Sequence, residues 1–508
     1  MRRFALLALL YLAGGATSAR AADARPGDGR SADALGSATT ADPAAMAAAA
    51  IPADPAARPM DEVPLQPNVR GAFRTIGSVE LLRYKSSDTT ITRHGTDLEA
   101  DLRQYASIQA IGLGDPRISA VASARWQLDA VRPPQDSELR DLSDAEPARR
   151  HLKLFEAYVE ARDLGDHVTV RAGRQSVSGF APVFLDGGRI DLTSAGIFRA
   201  TGYGGYRASQ YSGTDDRPIA GGEVGARPLE GLDIVAGYFH YVADDYGLEV
   251  RDEPVKDLSF LARVEGIGGG ISEVGGEARG RLAPAGLELR LGYTRWFATP
   301  RFPYDYTFER APATGVTRLL VGARTDGNEA RAEVVFDKLG YVVASVRGRI
   351  YRPVKNDRDP YNLGYEEVSP SLETYDLPWA GLETDLAYIH YTADTGVPTT
   401  IDPTTVEGFT DLRGEGISRY DEVILDVWQR FGRKVRAGVG GIYRIESYED
   451  RFGRLTNVKA YDAHGEVRWL ATDRWTFIAR YDYAQDLDIV NPVVAWDQRV
   501  QLEVRYAF

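Results

Sequence analysis

The chemistry open to this chain lies in its charged residues, because the usual reactive sets are missing. Cysteine is absent, which excludes disulfides, thiol nucleophiles and thiolate-bound zinc. His94, His151, His167, His240, His390 and His464 are scattered, and no Gly-x-Ser-x-Gly turn presents a serine to any of them. Carboxylates are too frequent for one pair to mark acid–base catalysis. What recurs is arginine and carboxylate at every second position. Glu156, Tyr158, Glu160 and Arg162 form one such series, and Arg436, Arg444 and Glu446 fall in another. Guanidinium and carboxylate groups hold ions and hydroxyls by charge-assisted hydrogen bonds, with no covalent step. The chemistry implied is binding and passage, with no cofactor and no catalysis.

A period of two belongs to β-strands, whose side chains alternate between faces. From Gly71 onward such runs recur about every ten residues, separated by Gly, Pro, Asp and Asn. In Asp497–Phe508, Val500, Leu502, Val504, Tyr506 and Phe508 oppose Arg499, Gln501, Glu503 and Arg505. Phe155, Ala157, Val159 and Ala161 oppose the acidic series above, and Tyr461, Ala463, Val467 and Trp469 oppose Asp462, His464, Glu466 and Arg468. No comparable run has helical spacing. The fold expected is all-β: a transmembrane, antiparallel outer-membrane β-barrel with one face in lipid and one in a wet lumen. About 18 strands are expected, within roughly 16 to 22, with Ile219–Arg227 and Glu366–Tyr375 the weakest runs. Tyr506 and Phe508 resemble the C-terminal aromatic signal that such barrels present to their assembly machinery.

Other stretches fit export to that place. Arg2 and Arg3, the apolar Phe4–Ala13 and Ala19-Arg20-Ala21 make residues 1–21 a secretory signal peptide. Residues 22–70, rich in Ala and Pro, have too few large apolar side chains to order themselves, so they form a disordered leader before a barrel at 71–508. Tight connections at Leu164–Asp166, Pro228–Gly231, Ala283–Gly286, Phe431–Arg433 and Ala471–Asp473 alternate with long ones. The long ones are Val131–Arg150, Thr299–Ala313, Pro353–Tyr365 and Asp394–Gly416. Aromatics near run ends, including Tyr84, Tyr241, Tyr293, Trp296, Tyr351, Tyr391, Trp428, Tyr443, Trp469, Trp475 and Tyr483, are expected to form two interfacial girdles. A net charge of −13 argues against a nucleic-acid partner.

Over Leu152–Gln175, the Phe155-Glu156-Ala157-Tyr158-Val159 strand, the turn and the closing Gly173-Arg174-Gln175 resemble the alginate export porin family. That resemblance implies passage of a polar, anionic saccharide, with the bilayer, the barrel-assembly machinery and periplasmic secretion components as partners. Ser176–Asp191, with Gly179, Pro182, Gly187 and Gly188, departs from the family pattern and reads as an irregular loop folded into the lumen as a constriction. Arg171, Arg174, Gln175, Arg189, Glu156, Tyr158, Glu160, Arg436 and Arg444 would line the path. Two other functions stay open: a porin taking up small organic acids or sugars, and a structural part of a polysaccharide-secretion complex. Arginine recurs on the charged side of most runs, from Arg125 to Arg505. Left unpaired, these cations would draw a polyanion; interleaved with acids, they would tie a hydrated wall together.

Overall fold

The computed structural model describes residues 68–86, 94–132, 149–177, 183–194, 196–208, 214–241, 243–297, 327–354, 364–393, 416–449, 455–488 and 493–508. The signal peptide, most of the leader and the greater part of the four long connections lie outside the described residues. The chain is a single antiparallel sheet of 22 strands. Its first strands are β1 (Asn68–Ser86), β2 (His94–Ile111), β3 (Ile118–Val131), β4 (Arg150–Leu164) and β5 (Val168–Val177). There follow β6 (Val183–Ser194), β7 (Phe198–Ala208), β8 (Thr214–Leu229), β9 (Leu232–His240), β10 (Asp244–Val255), β11 (Leu258–Ile267) and β12 (Gly270–Leu282). The rest are β13 (Leu287–Trp296), β14 (Gly327–Phe336), β15 (Val342–Pro353), β16 (Tyr365–Tyr375), β17 (Leu382–Ala393), β18 (Gly416–Phe431), β19 (Val435–Glu449), β20 (Leu455–Leu470), β21 (Trp475–Asp488) and β22 (Val493–Ala507).

Each strand pairs with its neighbours in sequence, and β1 pairs with β22 from Ala72↔Ala507 to Ser86↔Val493. The sheet therefore closes on itself, which satisfies every strand edge. The ring is sealed on both sides of that seam. Arg74 bonds Glu503 at 2.8 Å, and Gly71 and Phe508 exchange backbone bonds of 3.0 and 2.9 Å.

Alternation becomes two surfaces. Leu502 and Val439 are 60% and 64% exposed on the outside, whereas Glu503 on the opposite face is 3% exposed. Val159, Val224, Leu289, Val346, Val423 and Val467 continue the apolar exterior around the ring. A closed barrel with an outer belt of this kind is stable in hydrocarbon, since its backbone is paired internally and its exposed side chains are apolar. This is a membrane-spanning barrel.

Three expectations change. The strand count is 22, at the top of the expected range and above the central 18 or so, and the two weakest runs, Ile219–Arg227 and Glu366–Tyr375, both lie in paired strands, β8 and β16. Pro370, which has no N–H to donate, sits opposite Val346 and is bypassed on the β17 side, where pairing jumps from Val368 to Ser371. The later part of the proposed irregular loop, from Val183 on, is regular strand: Gly187 and Gly188 stand in the ladder of β6, opposite Gly173 and Ala172. Gly179 and Pro182 lie outside the described residues. Pairing also begins at Asn68, so the last three residues assigned to the leader belong to β1. The five tight connections do fall at the expected turns, with a short 3-10 turn at Ala283–Ala285.

Candidate functional site: the lumen wall

The inner face carries the polar chemistry, and β4 to β6 show how the register assembles it. Glu160 faces Arg171 across the β4–β5 pair, and Arg171 faces Arg189 across β5–β6. Glu160, only 2% exposed, accepts Nε of Arg171 at 2.9 Å and also the Arg162 guanidinium. Arg171 lies 4.4 Å from the centre of the Tyr158 ring. Arg189 is held by Asp191 at 2.8 Å, and the Thr201 hydroxyl donates to the same carboxylate at 2.7 Å. Arg171 and Arg189 are thus adjacent on the inner face, on two regular strands, with Arg189 in β6 and not on the expected loop.

Other predicted path residues land differently. Arg174 pairs in register with Ala157 and Asp186, and Asp186 with the exposed Tyr206, so it stands on the outer face. There it bonds Asp186 at 2.7 and 2.6 Å and the Leu154 carbonyl at 3.0 Å. Gln175, its neighbour, is fully buried on the inner side and donates to the Gly187 carbonyl at 3.3 Å. Gly173 separates Arg171 from this pair with φ of +128°; a Cβ there would come 2.2 Å from the Ala157 carbonyl oxygen. Glu156 accepts the Ser176 hydroxyl at 2.9 Å. Phe155, expected in lipid, faces inward, stacked 6.5 Å from Tyr105 and beneath Arg125. The cause is a bulge: Ser123 opposes Glu156 while Ala124 opposes Leu154, so one extra residue on β4 shifts the alternation.

Pairing of charges is the rule along the wall. Arg290 bonds Glu288 and Glu333 at 2.6 and 3.0 Å, and Arg349 bonds Glu329 at 3.2 Å. Arg436 donates to Glu383 at 2.6 Å while lying over the Trp428 ring, which fits because Gly438 beneath it has no side chain. Arg444 bonds Glu422 and Glu446 at 2.6 and 2.9 Å, over Tyr420. Arg279, Arg331, Arg347, Arg468, Arg480, Arg499 and Arg505 each have a carboxylate as well. Arg125 differs. Among the described residues it meets no carboxylate, only the Phe155 ring at 5.8 Å.

Two inner features escape the sequence reading. Val177, Leu185, Ile219 and Phe239 form a buried apolar cluster on β5 to β9, with Val183, Tyr203 and Tyr241 packed against it. The second concerns the girdles. Tyr293, Tyr443, Trp469 and Trp475 are exposed on the outside as expected. Tyr241, Trp296, Tyr351, Tyr391 and Trp428 instead stand on the inner face, two of them identified by polar partners: Trp296 donates to Glu273 at 3.0 Å and Trp428 sits under Arg436. Tyr84 has no described side chain. The signal for the inward set was parity: Tyr351 follows Ile350, whose side chain is 45% exposed on the outside. Tyr506 and Phe508 lie at the seam, with Phe508 stacked on Phe73 at 5.8 Å and on Tyr506 at 5.9 Å.

No protein-family model matches the chain, and no curated protein matches it. Solved structures do. Pseudomonas aeruginosa OccK9 (OpdG) is similar at 8% identity and a TM-score of 0.40, covering 87% of this chain and 99% of its own. Acinetobacter baumannii OccAB4 is similar at 6% identity and 0.39, covering 86% and 98%. A BenF-like porin from Pseudomonas fluorescens Pf-5 is similar at 10% identity and 0.39, covering 87% and 98%. Likenesses this distant say nothing of the solute, which has to be argued from the lumen's own chemistry.

Proposed function

We propose that this chain is an outer-membrane channel through which small polar solutes diffuse, with no chemistry performed on them. One observation carries the reading: a closed barrel, apolar outside, has an inside lined by arginines almost all held by carboxylates. A wall of paired charges is strongly hydrated and admits polar molecules, yet it exerts little net attraction for either sign of charge. Passage of a long polyanion, as the alginate-porin resemblance implies, would call for rows of uncompensated cations. Among the described residues Arg125 meets no carboxylate and Arg162 and Arg171 share one, while most other inner arginines are compensated. Uptake of small sugars or organic acids therefore fits better than polysaccharide export.

The test has two arms. Folded protein should fractionate with outer membrane and migrate anomalously on a detergent gel until heated. Reconstituted in a planar bilayer, it should give discrete conductance steps with weak ion selectivity. Recovery in the soluble periplasm ends the barrel reading, and folded protein that never conducts ends the channel reading.

A further inference from the structure

Five aromatic side chains stand in a contiguous row on the inner wall, on strands β13, β15, β16, β17 and β18. Trp296 and Tyr351 are 5.9 Å apart between ring centres, Tyr351 and Tyr365 are 5.5 Å, Tyr365 and Tyr391 are 5.5 Å, and Tyr391 and Tyr420 are 4.8 Å. Two of these contacts join residues directly opposite in the ladder, Tyr351↔Tyr365 and Tyr391↔Tyr420. The other two step diagonally, since Trp296 is level with Gly327 and Pro353, and Tyr365 with Ala393. At each diagonal the row moves two residues along the strand in the same sense, toward the tight-turn end of the barrel. Gly327 makes the first step possible: a Cβ there would sit 2.2 Å from the Tyr351 hydroxyl oxygen.

The geometry decides what such a row can offer. Stacked at interplanar angles of 12° to 28°, the four tyrosines cover one another's faces, and the Tyr351 hydroxyl lies over Gly327 while that of Tyr365 donates to Glu329. The outer face of Tyr420 is taken by Arg444 at 4.7 Å, and Arg349 lies 5.4 Å from the Tyr365 ring. An aromatic ligand finds no open face on which to stack. Charge is spent too: Glu329 accepts Arg349 and the Tyr365 hydroxyl, and Glu422 accepts Arg444. Among the described residues the hydroxyls of Tyr391 and Tyr420 have no hydrogen-bond partner. What remains is the adjacent pair of hydroxyls on Tyr391 and Tyr420, whose ring centres are 4.8 Å apart, beside carboxylates that keep lone pairs to spare.

We propose that this row is a binding track for a short neutral saccharide. The Tyr391 and Tyr420 hydroxyls would trade hydrogen bonds with successive sugar hydroxyls, and two weak adjacent stations suit passage better than one tight site. The proposal rests on the channel reading and deepens it by naming the solute class.

Maltotriose is the probe, with trigalacturonate as the charged comparison. In a planar bilayer, maltotriose should interrupt the ion current at concentrations where trigalacturonate does not. Tyr391→Phe with Tyr420→Phe keeps the stacking and removes only the two hydroxyls. This variant should raise the maltotriose concentration for half block about tenfold or more, since each lost hydrogen bond is worth roughly fivefold. Unchanged block would make the row a structural stack and overturn the proposal. Equal block by trigalacturonate, equally sensitive to the two hydroxyls, would overturn the neutral class. Titration of folded protein in detergent, read from tryptophan emission, separates this failure from failure of the channel reading. Maltotriose should shift the emission even of barrels that do not conduct, and the shift should vanish in Trp296→Phe. Absence of any shift counts against the track whatever the conductance.

Discussion

Replacing Glu160 by Gln tests whether charge pairing governs the lumen. The change preserves shape and removes one negative charge from between two guanidiniums, Arg162 and Arg171. A unit charge about 8 Å from a passing ion is worth roughly 0.5 kcal/mol in bulk water and roughly 2 kcal/mol where the effective dielectric constant is near 20. Anion and cation respond with opposite sign, so the anion-to-cation permeability ratio should rise at least about fivefold, with about a thousandfold as the upper bound. It is read from the reversal potential across a planar bilayer under a salt gradient. The shift should shrink in about 1 M salt, where the Debye length falls to about 3 Å. Arg171→Gln should move the ratio the other way, because Glu160 then has only Arg162. The double variant should return close to the starting value, as expected for two groups acting through one pair. A Glu160→Gln channel with unchanged reversal potential, or a double variant that fails to compensate, would refute the reasoning.

Three other outcomes follow from the packing. Gly173→Ala forces a Cβ into a left-handed backbone position against the Ala157 carbonyl, and should lower the unfolding midpoint in denaturant by an amount equivalent to about 1–3 kcal/mol. Leu185→Ala opens a hole in the fully buried inner cluster and should cost about 2–5 kcal/mol in the same assay, with little change in ion selectivity. Deleting Phe508 removes two seam hydrogen bonds, each worth about 1 kcal/mol, and part of an aromatic burial worth about 1.5–3 kcal/mol when complete. In vitro stability should drop measurably. Insertion in cells should fall further still if Tyr506 and Phe508 also serve as the assembly signal; equal loss in both assays assigns the whole effect to packing.

Alternation is legible wherever one face meets hydrocarbon, because lipid tolerates almost no charge there. The faces of β19 to β22 follow directly from it. The same pattern misleads at Phe155, since a bulge adds a residue without leaving any mark in composition. It misleads again at β6, where Gly187 and Gly188 look like breakers. A closed ladder flanks both glycines with partners, and Gly173 and Gly205 across from Gly187 let the backbones come close. Inward aromatics were assigned to girdles because nearness to a strand end says nothing about which side a ring takes. Parity does, and Tyr351 beside the outward Ile350 shows it. Which arginines are compensated was beyond reach of the sequence. A partner such as Glu503 for Arg74 lies 429 residues away and becomes adjacent only when the ring closes.

That separation sets an order in time. Every strand, the first and last included, pairs with a neighbour next to it in sequence, so most of the sheet can grow as hairpins. The seam between β1 and β22 must join the two ends of the whole barrel. Bringing together groups 429 residues apart costs roughly 3 kcal/mol more in chain entropy than closing a ten-residue hairpin. Until that join is made, both edge strands carry unpaired N–H and C=O groups along their full length, open to pairing with any other chain. Chain entropy therefore favours making this join after the hairpins have formed. A helper that shields either edge at that stage would raise the yield of folded protein without altering the stability of the finished ring.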